Sequence, residues 1–191
     1  FPHVREPASR FGETTVEGLL PAPVPICGVL GDSQGALLAQ RCFAPGSAKV
    51  TFGSGSSLLM TLGNNSIRGE SSVTALAWQH NGSPTYALEG ITNFTGATIA
   101  WLRDQLGLIS SAEETEALAT SVPDNGGVYL VPAFVGLSAP HWRADARALI
   151  TGLTPASTRA HVVRAALEST AFVVADALKA MESDAGFTIF E

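Results

Sequence analysis

The sequence predicts a mixed α/β domain in which helices cover a sheet. Two strand pairs joined by short turns lie in the first half of the chain, and the longest helical segment, residues 159–183, lies near its end. That segment carries apolar residues over a broad face, which is typical of a helix packed on a sheet. Hydrophobic residues make up 46% of the 191 residues and charged residues 15%, so the chain can bury a sizeable core.

The first part of the chain predicts a strand and a helix behind an irregular segment. Residues 1–22 contain several prolines and no clear hydrophobic period, so we interpret them as a linker and the tail of a preceding domain. We expect residues 23–191 to form the compact domain and to be truncated at its C-terminal end. Within it, residues 26–30 predict a buried strand and residues 34–42 predict a helix.

Two β-hairpins and three helices are predicted in the remainder. The hairpin strands are predicted at residues 48–52, 57–62, 73–79 and 85–89, and the Asn81-Gly82 pair supplies the second turn. The later elements are a helix at 93–106, a shorter helix with a Ser111–Glu114 capping box, strands at 128–131 and 148–152, the helix at 159–183, and the start of a strand at 187–191. Three tryptophans are expected in the core: Trp78, Trp101 and Trp142.

Composition argues against several classes of function. The net charge of −6, the pI of about 5.2 and the lack of a basic patch argue against nucleic-acid binding. No apolar run is long enough to span a membrane. Cys27 and Cys42 show no metal-ligand spacing, so we interpret both as reduced core residues. We expect a cytoplasmic homo-oligomer that binds a small molecule, with neither nucleic acid nor membrane as a partner.

Asp32 is the first candidate for chemistry. It stands between a predicted strand end and a predicted helix start, beside Gly31 and Ser33. Ligands of open α/β sheets collect at the carboxyl ends of strands, and a helix N-terminus favours negative charge. The alternative is that Asp32 only caps the helix.

Two glycine-containing segments are candidates for phosphate contacts. The stretch Gly53-Ser54-Gly55-Ser56 brings backbone amides and a hydroxyl to one turn, although an ordinary hairpin turn explains it equally. Residues 93–98 open a helix with small side chains, including Gly96, which suits the approach of a nucleotide or simple helix capping. A Walker-type phosphate loop is absent.

Several motifs occur together in an order typical of one family. They are residues 31–37, 51–55, 86–90, 96–97, 101–104, 122–134 and 148–168. In this order and spacing the chain resembles the FGGY family of carbohydrate kinases, and within it the glycerol kinases most. The resemblance covers nearly the whole chain from Pro21 onwards.

The resemblance implies an actin-like, ribonuclease-H-like fold of two domains around a cleft, with this chain as an incomplete second domain. It implies ATP-dependent phosphorylation of a small sugar or polyol, of a glycerol kinase or xylulokinase type, with ATP and Mg²⁺ as cofactors. Asp32 would be the catalytic base, and Ser33 and Ser57 would face the substrate. The nucleotide contacts implied are Gly53, Ser54, Gly55 and Gly96. The chain alone is expected to be inactive, because transfer needs both domains to close.

Three positions depart from the glycerol kinase pattern. Ser33 replaces a glutamine after the catalytic aspartate, and Ser57 replaces an aromatic residue after the hairpin. Ala100 replaces a glutamine on the nucleotide-side helix. The first two changes predict a substrate larger than glycerol, and the third predicts looser nucleotide contacts.

Two other functions remain open from the sequence. An actin-like ATPase that grips a partner shares the glycine hairpin, so the hairpin does not discriminate between that function and a kinase. A domain without catalysis would show no response to nucleotide. Asp32 at a strand–helix junction, together with the motifs downstream, favours the kinase.

Overall fold

The fold is built from eight strands and four helices in the computed structural model, which describes residues 2–188. In chain order they are β1 (Gly12–Thr14), β2 (Val24–Ile26), α1 (Asp32–Ala39), β3 (Ala48–Phe52), β4 (Ser56–Gly63), β5 (Val73–His80), β6 (Ser83–Thr92), α2 (Gly96–Asp104), α3 (Glu114–Thr120), β7 (Tyr129–Val131), β8 (Leu149–Thr151) and α4 (Arg159–Ala185).

A four-stranded antiparallel sheet, in the order β3-β4-β6-β5, forms the centre of the molecule. Its two sequence-adjacent pairs are the predicted hairpins. Asn81 and Gly82 join β5 to β6 with φ values of 50° and 78°, the left-handed conformation that a two-residue hairpin turn requires. Both predicted hairpins are therefore confirmed, with strand ends that shift by at most three residues.

The two faces of this sheet pack against different helices. On one face, Leu58, Met60 and Leu88 contact Ala177 and Met181 of α4. On the other face, Leu59 and Ala87 form a cluster with Leu37 of α1. Because side chains alternate along a strand, the unbroken apolar run of β4 supplies both clusters. The predicted α/β class is confirmed.

A second core surrounds the N-terminal half of α4. Leu102 of α2, Val128 and Leu130 beside and within β7, and Val163 and Ala166 of α4 are all nearly or fully buried there. The short pair β7-β8 corresponds to the two strands predicted in this region. α4 itself agrees with the prediction, and Gly186 ends it with a φ of 73°.

Several predicted details are wrong. The segment 26–30 is not a buried strand: β2 ends at Ile26, is exposed, and pairs only with β1. The first helix begins at Asp32 rather than at residue 34, because Gly31 is the N-cap. Ser111 and Glu114 form no capping box. Instead the Glu114 carboxylate accepts a hydrogen bond from the Ser110 amide, and the helix starts at Glu114.

Two residues expected in the core are exposed. Cys27 is exposed in the segment after β2, whereas Cys42 is buried as predicted. Trp142 is half exposed, because its ring nitrogen donates to the Ser71 carbonyl oxygen at the surface, at 2.9 Å. Phe172 lies on the outer side of α4.

Phe187 and Thr188 are not in a strand, and the rest of the strand predicted at 187–191 lies outside the described residues.

The N-terminal segment joins the domain through the small sheet β1-β2. This sheet pairs residues on both sides of the predicted boundary between 22 and 23, and the division into 1–22 and 23–191 stays a prediction. Within residues 2–188, no helix combines the length and the apolar character that crossing a membrane requires.

Candidate active site

Asp32 is the first residue of α1, and its side chain is exposed to solvent. Its Oδ1 accepts a hydrogen bond from the Ser33 amide at 2.8 Å, while Gly31 occupies the N-cap without any side-chain bond. Asp32 is therefore the first helical residue and not the N-cap, and its carboxylate pairs with one of the amides of the first turn. The position in the first turn places the carboxylate where the helix dipole favours a negative charge.

The turn between β3 and β4 can only be built from small residues. The Gly53 amide donates to the Gly55 carbonyl oxygen at 2.9 Å, which closes the turn. A Cβ atom at Gly55 would lie 2.4 Å from the Thr92 carbonyl oxygen. Gly53 and Ser54 form the exposed tip of the turn. The segment is therefore a hairpin turn, and its tip is accessible to a ligand.

The start of α2 holds this hairpin in place. The amides of Thr95 and Ala97 both donate to the Ser54 carbonyl oxygen at 2.9 Å, and the Gly96 amide donates to the Gly53 carbonyl oxygen at 3.0 Å. A Cβ atom at Gly96 would lie 2.6 Å from that same Gly53 oxygen. These three amides are thus engaged by the hairpin. Glycine at position 96 is needed for the close contact between the two segments.

One open cleft brings most of the predicted site residues together. Its volume is about 440 Å³, and Asp32, Ser33, Gly53, Gly55 and Ser57 all line it. The hydroxyls of Ser33 and Ser57 face each other at 3.3 Å across the cleft wall. The two serines that depart from the glycerol kinase pattern are therefore direct neighbours, one on α1 and one on β4.

A second pocket lies beside the start of α2. It has a volume of about 270 Å³ and lies between α2 and α3, with Gly96, Ala100, Arg103 and Thr115 among its lining residues. The structure thus places Gly96 outside the cleft that contains Asp32. Ser54 lies at the hairpin tip and does not line either space. The small Ala100 side chain leaves this pocket open beside the hairpin.

Two charged residues near the cleft were missed by sequence reasoning. Glu89 of β6 lines the cleft, and Lys49 of β3 lies behind its wall with only 6% of its surface exposed. The Lys49 ammonium donates to Thr51 Oγ1 at 2.8 Å. Burial lowers the pKa of Lys49, and the negative charges of Glu89 and Asp32 oppose that effect. The sequence contained a signal for Lys49, because apolar and polar residues alternate in residues 48–52. This alternation places Lys49 and Thr51 on the same side of the strand.

The residues present fit a nucleotide phosphate group better than a protein-bound metal. An exposed tip with a hydroxyl and little side-chain bulk lets phosphate oxygens approach closely. Within residues 2–188, no three His, Cys, Asp or Glu side chains are grouped to hold a metal ion. A magnesium ion at this site would have to be held largely by the phosphates themselves.

A sheet covered by helices on both faces, with a glycine-rich hairpin beside a carboxylate at a helix start, is the arrangement of an actin-like ATPase domain. The family profile described as the FGGY family of carbohydrate kinases, C-terminal domain, matches residues 48–189. The chain belongs to the FGGY family of carbohydrate kinases.

The proteins to which this chain is similar are kinases of small alcohols and sugars. A glycerol kinase of Stenotrophomonas maltophilia (strain R551-3) is 47% identical over 192 residues, which is all of this chain and 38% of that protein. A glycerol kinase of Desulfitobacterium hafniense (strain DSM 10664 / DCB-2) is 48% identical over 96% of this chain and 37% of its own length. The chain therefore spans a little over a third of the curated relatives that it matches.

Solved structures show the same fold. The crystal structure of Plasmodium falciparum glycerol kinase with ADP superposes with a TM-score of 0.88 at 36% identity, over 97% of this chain and 37% of that one. A xylulose kinase from Rhodospirillum rubrum superposes with a TM-score of 0.73 at 24% identity, over 94% of this chain and 37% of that one, which shows the fold alone.

Proposed function

We propose that the whole protein transfers the γ-phosphoryl group of ATP to a hydroxyl of a small sugar or polyol. The observation that carries this proposal is the cleft that Asp32 and the hairpin residues Gly53 and Gly55 line together. The relatives named as glycerol kinases, and the one solved with ADP, support the same reaction class. An exposed carboxylate at this position accepts the proton of the attacking hydroxyl and orients its oxygen.

The hairpin is the phosphate side of this reaction. Gly53 and Ser54 contact the nucleotide phosphates in this proposal, since they form its exposed tip, and Gly55 and Gly96 let neighbouring backbone segments approach closely enough to build it. Mg²⁺ bound to the phosphates supplies charge neutralisation during transfer. The chain's own contribution is to position the phosphates and to hold Asp32 on the other side of the cleft.

The test that separates a kinase from an actin-like ATPase is the dependence of ADP formation on a sugar or polyol. The whole protein is assayed with ATP and Mg²⁺ alone and then with a panel of glycerol, erythritol, xylitol, D-xylulose and L-ribulose. A kinase shows ADP formation that rises with one of these acceptors and a phosphorylated acceptor as product. Equal ADP formation with and without every acceptor would contradict the proposal.

We further propose that the preferred acceptor is larger than glycerol. Ser33 and Ser57 meet at 3.3 Å, so two small hydroxyl side chains stand together where a glutamine and an aromatic ring are expected from the glycerol kinase pattern. Their side chains leave more room and offer hydrogen bonds to additional hydroxyls. A site built to bind such hydroxyls discriminates against an acceptor that lacks them, because its polar groups are then left unpaired.

Restoring the bulkier pair should reverse this preference. In the double variant Ser33→Gln/Ser57→Phe, we expect the ratio of kcat/KM for glycerol to kcat/KM for the best larger acceptor to rise by about tenfold or more. Ser110→Gln, which alters a serine away from the cleft, is the control and should leave the ratio unchanged. A wild-type protein that prefers glycerol to every larger acceptor by about tenfold would contradict the proposal on acceptor size while leaving the kinase activity itself supported.

A further inference from the structure

The side chain of Lys49 points to the same face of the sheet as the cleft. In the register of β3 and β4, Lys49 pairs with Leu59 and Thr51 pairs with Ser57. Leu59 packs against Leu37 of α1, so the side chains of these four strand residues lie on the α1 face. Lys49 therefore lies one step along the sheet from two residues that line the cleft.

Lys49 is buried without a close ion-pair partner. Only 6% of it is exposed, and its Nζ atom donates to Thr51 Oγ1 at 2.8 Å and to the Ser57 carbonyl oxygen at 3.5 Å. Among the residues that the structure describes, no carboxylate oxygen lies within 4.0 Å of this ammonium. Lysine is almost never so buried unless it is paired, because the charged form loses its hydration. A feature that is locally unfavourable and adjoins a cleft indicates a functional role.

The titratable groups that face Lys49 come from three places in the fold, and burial raises the pKa of one of them, the Cys42 thiol, which favours its neutral form. Asp32 lies at the start of α1, Glu89 lies on β6, and the Cys42 thiol lies in the turn after α1. Both carboxylates line the cleft, while the ammonium lies behind the Thr51 and Ser57 wall. The arrangement places one buried positive charge behind two cleft carboxylates.

We propose that Lys49 is a positioning residue for the phosphoryl transfer, which acts through Thr51 and Ser57. Its ammonium donates to the Thr51 hydroxyl at 2.8 Å and to the Ser57 carbonyl oxygen at 3.5 Å, and so fixes the wall opposite Ser33. A fixed wall holds the acceptor in one orientation beside Asp32. The inference rests on the proposed kinase function.

Two substitutions separate the charge of Lys49 from its shape. Lys49→Met keeps a long side chain but removes the charge, and Lys49→Arg keeps the charge. Lys179→Met is the matched control, because Lys179 is the chain's other lysine and lies exposed on α4. All three variants and the wild type are made as the whole protein, and their thermal unfolding is measured first to confirm that each is folded.

The readout is kcat/KM for the acceptor, together with the KM for ATP. In Lys49→Met we expect kcat/KM for the acceptor to fall by about tenfold or more, with the KM for ATP little changed, because the acceptor side of the cleft loses its fixed wall. Lys49→Arg should recover part of this loss, and Lys179→Met should match the wild type.

A Lys49→Met protein that is folded and keeps the wild-type kcat/KM for the acceptor would overturn the proposal, even if its melting temperature has fallen, because that result describes a purely structural lysine. An equal loss of kcat/KM for the acceptor in Lys49→Met and Lys49→Arg would overturn it as well, since charge would then be irrelevant. Wild-type turnover in the same assay tests the kinase function separately, so the two failures are distinguishable.

Discussion

Gly55 sets the shape of the hairpin at the scale of a single residue. A Cβ atom there would lie 2.4 Å from the Thr92 carbonyl oxygen and 3.0 Å from that of Asn93, and neither backbone oxygen belongs to a flexible side chain. The backbone must therefore move to accept any side chain. We expect Gly55→Ala to lower the free energy of unfolding by about 1–3 kcal/mol and to raise the KM for ATP.

Gly35→Ala is the control for this prediction. Gly35 lies within α1, and a Cβ atom added there would meet nothing within 4 Å. Alanine in a helix interior is more stable than glycine by about 0.5–1 kcal/mol, so this variant should be slightly stabilised. Chemical denaturation and ATP-dependent kinetics of the whole protein provide both quantities. If Gly55→Ala keeps the wild-type stability and the wild-type KM for ATP, the prediction is contradicted, because the backbone then accepts a side chain at position 55 without cost.

The residues of the cleft could be predicted only in part. Asp32 and the glycine hairpin could be predicted, because strand–helix junctions and glycine turns leave local patterns. The contact between Ser33 and Ser57 could not be predicted from such patterns, because it depends on how α1 lies across β4. Lys49 and Glu89 were missed for the same reason: they stand on separate strands with β4 between them, and their relation depends on sheet order.

At the scale of elements, the last turn of α4 holds the loop before β5. The Asp184 carboxylate accepts hydrogen bonds from the amides of Glu70, Ser71 and Ser72 and from the Ser72 hydroxyl. Partial burial alone would raise the pKa of Asp184, but these hydrogen bonds outweigh it and the pKa lies below its usual value. The carboxylate therefore fastens the helix end to the edge of the sheet.

Asp184→Asn should destabilise the protein in a pH-dependent way. Because the pKa is lower in the folded state, the stabilisation is fully present above the unfolded-state value of about 3.9 and is lost as the pH falls through the folded-state value. At neutral pH the loss of these charged hydrogen bonds should cost about 1–3 kcal/mol. The difference between wild type and variant should shrink below about pH 4.

Asp176→Asn provides the comparison on the same helix. Asp176 is exposed and lies 3.6 Å from His141, and an exposed pair of this kind contributes about 0–1 kcal/mol. Urea denaturation of both variants at neutral pH and near pH 3.5 measures the effect. An Asp184→Asn difference that is the same at both pH values would contradict the assigned role of the charge.

Element types were predicted more accurately than element ends. The Asn81-Gly82 turn and the helix α4 follow from strong local signals, a left-handed turn pair and a long apolar face ended by glycine. The apolar run at 26–30 was a poor predictor of a buried strand. Apolar residues form a buried strand only where they pair within a larger sheet, whereas β2 pairs only with the short β1. The Ser111–Glu114 pattern failed because Glu114 bonds one residue earlier, at Ser110.

At the scale of the whole molecule, the account assigns different tasks to the two helices that flank the site. α1 carries Asp32 on one face of the sheet, while α2 holds the glycine hairpin through three backbone hydrogen bonds. Leu37 anchors α1 to the four-stranded sheet, whereas Leu102 anchors α2 to α4 and β7 in a separate core cluster. In the proposed mechanism, phosphate binding and proton acceptance therefore depend on elements that are packed in different cores.

The central claim is that Asp32 is the general base, and the most direct measurement compares kcat with nucleotide affinity in Asp32→Asn. Made in the whole protein, this variant should lose about 10²–10⁴-fold in kcat, because an amide does not accept the proton of the acceptor hydroxyl. The Kd for ATP should stay close to the wild-type value, since amides at the start of α2 hold the hairpin while the Asp32 carboxylate accepts from the Ser33 amide. Asp124→Asn, in an exposed loop away from the cleft, should match the wild type in both quantities. A variant Asp32→Asn that keeps more than about a tenth of the wild-type kcat would contradict the assignment.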